Sequence, residues 1–180
     1  MKTSLLIIDD FYSSPETVRQ YSLQQPFTVT GNFPGKRTAP YLPDDVKGAI
    51  NYIMQFTGGV TDWLSEYTGA FQLSTANDRT WIHSDYNNMW AGVCYLTPNA
   101  PHTSGTGFFR HKSSGEYSNI TRDYEGYDYT KWDLFDVVGN KFNRLIIYPG
   151  KSFHASLDYF GHDLNTGRLF QTFFFNTVHM

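Results

Sequence analysis

The sequence has a single cysteine, Cys94, in 180 residues. No internal disulfide is possible, which agrees with a reducing compartment. Basic residues are not in excess: 14 Lys and Arg stand against 17 Asp and Glu, for a net charge of −3. With no basic stripe, sequence-independent nucleic-acid binding is not indicated. Long hydrophobic runs are also missing. The first apolar stretch, Ser4-Leu5-Leu6-Ile7-Ile8, stops at Asp9-Asp10, too short for a membrane span or for the apolar part of a secretion signal. There is no internal repeat and no low-complexity tract. These absences leave a soluble, cytoplasmic protein without a membrane partner as the expectation, its oligomeric state open.

Aromatic side chains are abundant, with 15 Phe and 13 Tyr, and such residues suit strands and large packed interiors. The length predicts one domain over 1–180, with helical N-terminal support over about 1–65 and a β-rich core over about 66–178. Leu5 to Ile8 reads as a first strand. Ser13-Ser14-Pro15-Glu16 reads as a helix start, with a serine cap, proline in the first turn and an acid beside it. That helix stops before Pro26. The span from Phe27 to Pro43 is rich in glycine and proline and is expected to be irregular. Asp44-Asp45 opens a second helix, with Val46, Ala49, Ile50, Ile53 and Met54 at helical spacing.

After residue 60 the pattern changes. Phe71 to Ala76, Met89 to Leu96, Phe108-Phe109, Leu134 to Val138, Arg144 to Tyr148 and Leu169 to Phe175 are short aromatic or β-branched runs separated by turn residues. Many short strands of this kind predict a β-sandwich or jelly roll flanked by helices. Ser113 to Trp132 is polar and carries Tyr117, Tyr124, Tyr127 and Tyr129. It reads as a helical or irregular insertion, with tyrosines available either to a substrate pocket or to the surface.

The chemistry concentrates in Trp81-Ile82-His83-Ser84-Asp85-Tyr86. Residues two apart in extended backbone share a face, so His83 and Asp85 would project side by side. That is two-thirds of a facial triad of two histidines and a carboxylate, which holds Fe(II) and leaves coordination positions open. Alone, His-x-Asp is a common chance pairing. A distant histidine is required, and Phe153-His154-Ala155, after the apolar run Leu145-Ile146-Ile147-Tyr148-Pro149, is the candidate. His162, in the polar stretch 158–165, is the alternative. Arg168 opens the last apolar strand, where an unpaired guanidinium is costly to bury without an anionic partner.

The ordered set His83-x-Asp85, His154, Arg168 resembles the Fe(II)/2-oxoglutarate-dependent dioxygenases of the prolyl-hydroxylase-like branch. So does Asn143 to Pro149 ahead of His154, and so do Val93-Cys94-Tyr95-Leu96 and Gly105-Thr106-Gly107-Phe108-Phe109 after the first motif. The resemblance covers roughly residues 70 to 176. It implies a double-stranded β-helix (jelly roll, cupin-like) and assigns His83, Asp85 and His154 as catalytic iron ligands. It further gives Arg168 to the distal carboxylate of 2-oxoglutarate, and Tyr95 matches a position that some members use for cosubstrate binding. The implied cofactors are Fe(II), 2-oxoglutarate and O2, with ascorbate as a stimulant. The implied reaction is hydroxylation of a peptide side chain, amino acid or small metabolite with release of succinate and CO2. Related halogenases replace the carboxylate by a small residue, so Asp85 argues for hydroxylation.

Two other readings stay open: a non-catalytic jelly-roll binding module, and a cupin-type metalloprotein that does not use 2-oxoglutarate. Arg110 and Arg144 are alternatives to Arg168 as anchor, each otherwise a surface ion pair. Arg37 is a candidate substrate contact. His102 and His111 read as structural or solvated, His179 as a mobile terminal residue, and Cys94 as a buried, inert thiol.

Overall fold

The computed structural model describes residues 3–64, 67–119 and 123–180. In chain order the strands are β1 (Leu6–Ile8), β2 (Lys36–Pro40), β3 (Val60–Trp63), β4 (Ala70–Ser74), β5 (Trp90–Tyr95), β6 (Thr106–His111), β7 (Trp132–Val138), β8 (Leu145–Pro149), β9 (His154–Ser156) and β10 (Arg168–Thr177). The helices are α1 (Pro15–Leu23), α2 (Asp44–Ile53) and the short α3 (Asp123–Gly126). The larger sheet runs β1-β8-β5-β10-β4-β2, and β3 pairs with the last residues of β10. The smaller sheet runs β7-β6-β9, and His83 adds a single bridge to His154 of β9. All these pairings are antiparallel.

From residue 70 on, the chain winds between the two sheets. β4 lies in the larger, the His83 segment in the smaller, β5 in the larger, β6 and β7 in the smaller, β8 in the larger, β9 in the smaller and β10 in the larger. Eight extended segments exchanged in this way make a double-stranded β-helix, the jelly-roll architecture expected from the strand pattern.

The two-residue period of the strands separates two interiors. On one face of the larger sheet, Leu169, Phe173 and Phe175 of β10 join Trp90 and Cys94 of β5 and Leu145 and Ile147 of β8. Val46, Ile50 and Met54 of the α2 segment seal this layer, and Val18 and Leu23 of α1 pack at its margin. The opposite face carries Phe170, Phe174, Val93, Tyr95, Ile146 and Tyr148, which look toward the smaller sheet. A side chain cannot leave its face without a slip of register, so the helical layer and the inter-sheet space are specified separately.

Helix α1 begins with Pro15 in its first turn, as its sequence predicts. Ser14 occupies the cap position, but its side chain makes no capping bond; its carbonyl accepts from the Val18 N–H. The irregular span expected over Phe27 to Pro43 contains strand β2, a correction. Lys36 and Arg37 align with Leu73 and Gln72 of β4, and a register shift precedes the Pro40–Ala70 pair. Proline at the end of an edge strand removes no ladder bond from the sheet interior. The N-terminal part is thus more than helical support, because β1, β2 and β3 extend the larger sheet.

Candidate metal centre and its cavity

The segment from Trp81 to Asp85 is extended but is not a regular strand. His83 exchanges backbone hydrogen bonds with His154: the His83 N–H donates to the His154 carbonyl at 3.0 Å, and the reverse bond is 2.9 Å. Two residues on, the Asp85 N–H donates to the Gly150 carbonyl at 2.7 Å. Gly150 is tight against the chain just beyond this segment, since a Cβ there would lie 2.6 Å from the Asn88 carbonyl oxygen. The expected strand is therefore reduced to one bridge and one anchor. These suffice to bring His83, Asp85 and His154 together.

Each of the three residues contributes one ligand atom, and these atoms lie within 4.8 Å of one another. Nδ1 of His83 lies 3.1 Å from the Trp81 carbonyl, and Nδ1 of His154 lies 2.8 Å from the Ser152 carbonyl. A carbonyl only accepts, so both imidazoles carry their proton on Nδ1 and present an Nε2 lone pair. Burial, and then the neighbouring His83 ring at 4.4 Å, hold the His154 pKa down at about 4. His154 is thus neutral at pH 7, the form that binds metals. Oδ2 of Asp85 is buried without a hydrogen-bond partner and lies 3.7 Å from His154 Nε2. That distance is too long for a hydrogen bond, and the neutral ring makes it no ion pair. A carboxylate oxygen and two imidazole nitrogens this close together, with the carboxylate oxygen lacking a donor, fit a divalent cation.

The cluster lies in a cavity of about 230 Å³ between the sheets. Its wall includes Phe33, Arg37, Gln72, Thr106, Tyr148 and Tyr159, together with Phe170, Thr172 and Phe174 from alternate positions of β10. Tyr148 packs against the His154 ring at 4.7 Å. Arg168 is 1% exposed and sits just outside the wall. Its Nε donates to the Ser104 carbonyl at 2.9 Å and its Nη2 to the Gly105 carbonyl at 3.4 Å, while Nη1 is buried without a partner. The rings of Phe170, Tyr95 and Tyr159 lie 4.4, 5.5 and 5.9 Å from its guanidinium carbon. The Tyr95 hydroxyl is 2.8 Å from Thr106 Oγ1, so Tyr95 stands behind a threonine that does line the cavity.

The alternatives from the sequence fall elsewhere. Arg144 pairs with Asp9 at 2.7 Å and Arg110 with Asp133 at 3.7 Å, the surface ion pairs that were the plainer expectation for both. His162 is exposed in the loop before β10 and outside the ligand cluster. His102 bonds the Asn140 carbonyl through Nδ1, and His111 packs on Trp132. Cys94 is fully buried, and burial pushes its thiol well up, so it is inert. Tyr117, Tyr127 and Tyr129 do not line the cavity; Tyr127 stacks on Trp81, which does. The side chain of Tyr124 lies outside the described residues. Thr106, Tyr148 and Tyr159 were not singled out in the sequence as wall residues. Alternation within their strands was the available signal for the first two.

A model of a family of unknown function, DUF6445, matches residues 1–128. The chain belongs to the DUF6445 family. The matched region of this DUF6445 chain contains His83 and Asp85 and stops before His154 and Arg168. No curated protein matches it. Among solved structures it is similar to HygX from Streptomyces hygroscopicus with nickel and 2-oxoglutarate bound, at 15% identity over 95% of this chain and 82% of that one, with a TM-score of 0.61. It is also similar to a prolyl-4-hydroxylase of Pseudomonas putida, at 15% identity over 96% and 91%, with a TM-score of 0.55. A third is the Fe(II)/α-ketoglutarate-dependent dioxygenase TqaL, at 11% identity over 97% and 83%, with a TM-score of 0.55. The DUF6445 chain thus has the double-stranded β-helix fold of Fe(II)/2-oxoglutarate oxygenases.

Proposed function

We propose that the chain is an Fe(II)- and 2-oxoglutarate-dependent oxygenase that hydroxylates a small molecule or a peptide side chain. The observation that carries this is the convergence of His83, Asp85 and His154, with both imidazoles locked to present Nε2 and with Asp85 Oδ2 lacking a donor. A 2-His-1-carboxylate set that leaves half the coordination sphere open suits Fe(II). With the ion bound, the chemistry supplied is the coupled oxidation of substrate RH to ROH, as 2-oxoglutarate and O2 become succinate and CO2.

The chain's own residues have distinct parts in this scheme. His83, Asp85 and His154 hold the ion, and the carbonyls of Trp81 and Ser152 fix the two rings. Arg168 meets the distal carboxylate of 2-oxoglutarate through Nη1, its other nitrogens being held by the Ser104 and Gly105 carbonyls. Tyr95 orients Thr106 at the edge of that subsite. Phe170, Phe174 and Tyr148 exclude water from the inner wall.

The orphaned Arg168 nitrogen is also what favours this reading over a cupin-type metalloprotein or a binding module, since neither calls for a buried guanidinium with an unpaired nitrogen. Anaerobic addition of Fe(II) and then 2-oxoglutarate should produce the metal-to-ligand charge-transfer absorption of a chelated oxo acid. In air, with ascorbate present, 2-oxoglutarate should be consumed and succinate formed. Metal binding without that absorption would point to the cupin-type alternative.

A further inference from the structure

The arginine that lines the cavity is left unused by the metal and cosubstrate scheme. Arg37 is 8% exposed and lines the same cavity as His83, Asp85 and His154. Its backbone is pinned on both sides, exchanging hydrogen bonds with Val29 and pairing in register with Gln72 of β4. Its Nε donates to Gln72 Oε1 at 2.7 Å. The Gln72 carboxamide is itself fixed, because its NH2 donates to the Pro34 carbonyl at 2.7 Å. The guanidinium lies over the Phe33 ring at 3.9 Å, with Tyr67 and Phe174 at 5.1 and 5.8 Å. Among the described residues no carboxylate lies within ion-pair distance of it.

Such a group is expensive to keep buried for packing alone. A guanidinium removed from water needs an anionic partner or a full set of acceptors, and a neutral carboxamide with three aromatic faces supplies neither. The charges in the cavity sharpen the point. A divalent ion, the Asp85 carboxylate, the Arg168 cation and dianionic 2-oxoglutarate would together carry no net charge. The remaining described wall residues apart from His83 and His154 are aromatic, small or uncharged polar. Among the described residues Arg37 is then one unneutralised positive charge facing the space left for substrate.

We infer that the substrate is a small carboxylic acid whose carboxylate is bound by Arg37. This rests on the oxygenase reading above and narrows it. The geometry selects the ligand. Gln72 occupies Nε, so the side-on edge of the guanidinium is taken. The Nη1 and Nη2 edge remains, two parallel donors that match two carboxylate oxygens. Phe33 stacks on one face of the plane and keeps it from turning. A phosphate monoester also accepts from two such donors, so the test includes one.

The test uses the full-length protein loaded with redox-inert Zn(II), with and without 2-oxoglutarate, and reads binding by calorimetry. The probes are the twenty L-amino acids and the C2 to C6 aliphatic monocarboxylates, each beside its primary carboxamide, with phosphoserine as the phosphate probe. The expected result is that at least one carboxylate binds ten-fold or more tightly than its carboxamide. Arg37→Met should abolish that preference and Arg37→Lys should retain part of it, while 2-oxoglutarate affinity changes less than three-fold in both. Matching melting curves and near-ultraviolet circular dichroism establish that the variants fold; Arg37→Lys keeps the cation and serves if Arg37→Met does not.

Equal binding of acid and amide, or no carboxylate bound at all, would overturn the inference. So would phosphoserine binding through its phosphate alone, or a preference that survives in Arg37→Met. A loss of 2-oxoglutarate affinity in Arg37→Met that matches the loss in Arg168→Ala would make Arg37 the cosubstrate's anchor and overturn it too. Failure of the oxygenase reading shows separately, as absence of 2-oxoglutarate binding to the wild-type Zn(II) form, and the acid-over-amide preference is then read in that form alone.

Discussion

Replacement of Arg168 by alanine should weaken 2-oxoglutarate binding far more than metal binding. The guanidinium is almost wholly buried, with Nε and Nη2 committed to the Ser104 and Gly105 carbonyls and Nη1 without a partner. The distal carboxylate of 2-oxoglutarate would leave water to reach it, entering a site bounded by Phe170, Tyr95 and Tyr159. Truncating one partner of a buried, hydrogen-bonded charge pair costs about 2–5 kcal/mol. At about 1.4 kcal/mol per decade, that is a rise in dissociation constant of roughly 30-fold or more. Part of the cost falls on stability instead, because the Ser104 carbonyl loses its 2.9 Å donor and keeps only Asn140 Nδ2 at 3.5 Å, while the Gly105 carbonyl still accepts from the Leu157 N–H at 3.1 Å. Arg168→Lys separates the two effects: it keeps the charge, loses the planar fork and should bind with intermediate affinity. The assay is anaerobic titration of 2-oxoglutarate into the Fe(II) protein, followed by charge-transfer absorption, with a parallel metal titration. An unchanged dissociation constant in a folded Arg168→Ala protein would refute the assignment. Arg110 and Arg144 could not take the role over, since each is engaged with an aspartate elsewhere.

Three further outcomes follow from the same structure. Asp85→Gly should end succinate formation coupled to substrate oxidation, because two imidazoles alone would hold the ion; near-normal coupled turnover in that variant would contradict the facial triad. His154→Ala should weaken Ni(II), Mn(II) or Fe(II) binding by at least ten-fold in a metal titration, whereas His162→Ala, in the exposed loop, should bind as wild type; the opposite pattern would exchange the two histidines. The Arg144 and Lys141 cations beside Asp9 hold its carboxyl well below the ordinary 3.8. A depressed carboxyl pKa stabilises the fold above the unfolded value and loses that contribution as pH falls through the folded one. Asp9→Asn should therefore cost about 0.2–1 kcal/mol at pH 7, the range for exposed pairs, and the gap to wild type in denaturant melts should begin to narrow below about pH 4 and close as the pH falls through the lowered folded value; a gap that stays constant with pH would exclude the ion pair as its source.

Much of the fold was legible because its strands alternate. The apolar run Leu169 to Phe175 was read as a strand, and it is part of β10, which is central and buried on both faces. The His83, Asp85 and His154 cluster was legible because the ligand types and their order are restrictive, although the regular strand expected under His83 is only a bridge. What holds it there is the Gly150 carbonyl and the backbone of His154, contacts far along the chain that no local pattern encodes. Strand β2 was hidden for a related reason. Lys36-Arg37-Thr38-Ala39-Pro40 has no apolar alternation, and it is extended because the edge of β4 is available to pair with it. The tyrosine-rich segment could not be assigned a side from composition. Composition left its rings open to cavity or surface; Tyr117, Tyr127 and Tyr129 do not line the wall, whose rings include Phe33, Tyr148, Tyr159, Phe170 and Phe174. A count of aromatics does not carry the facing of each one.

The parity of β10 has a consequence for how the protein can change. Odd positions, Leu169, Phe173 and Phe175, are built into the helical layer, and even positions, Phe170, Thr172 and Phe174, face the cavity. Substitution at even positions can remodel what the cavity accepts while the foundation of the molecule stays as it is. Insertion or deletion of one residue within 169–175 does the reverse. It exchanges the β10 side chains beyond the change between the two interiors, putting cavity-facing groups under the helices and core-filling rings on the cavity side. Descendants of this chain are therefore free to diversify by replacement along β10 and are barred from doing so by changes of length.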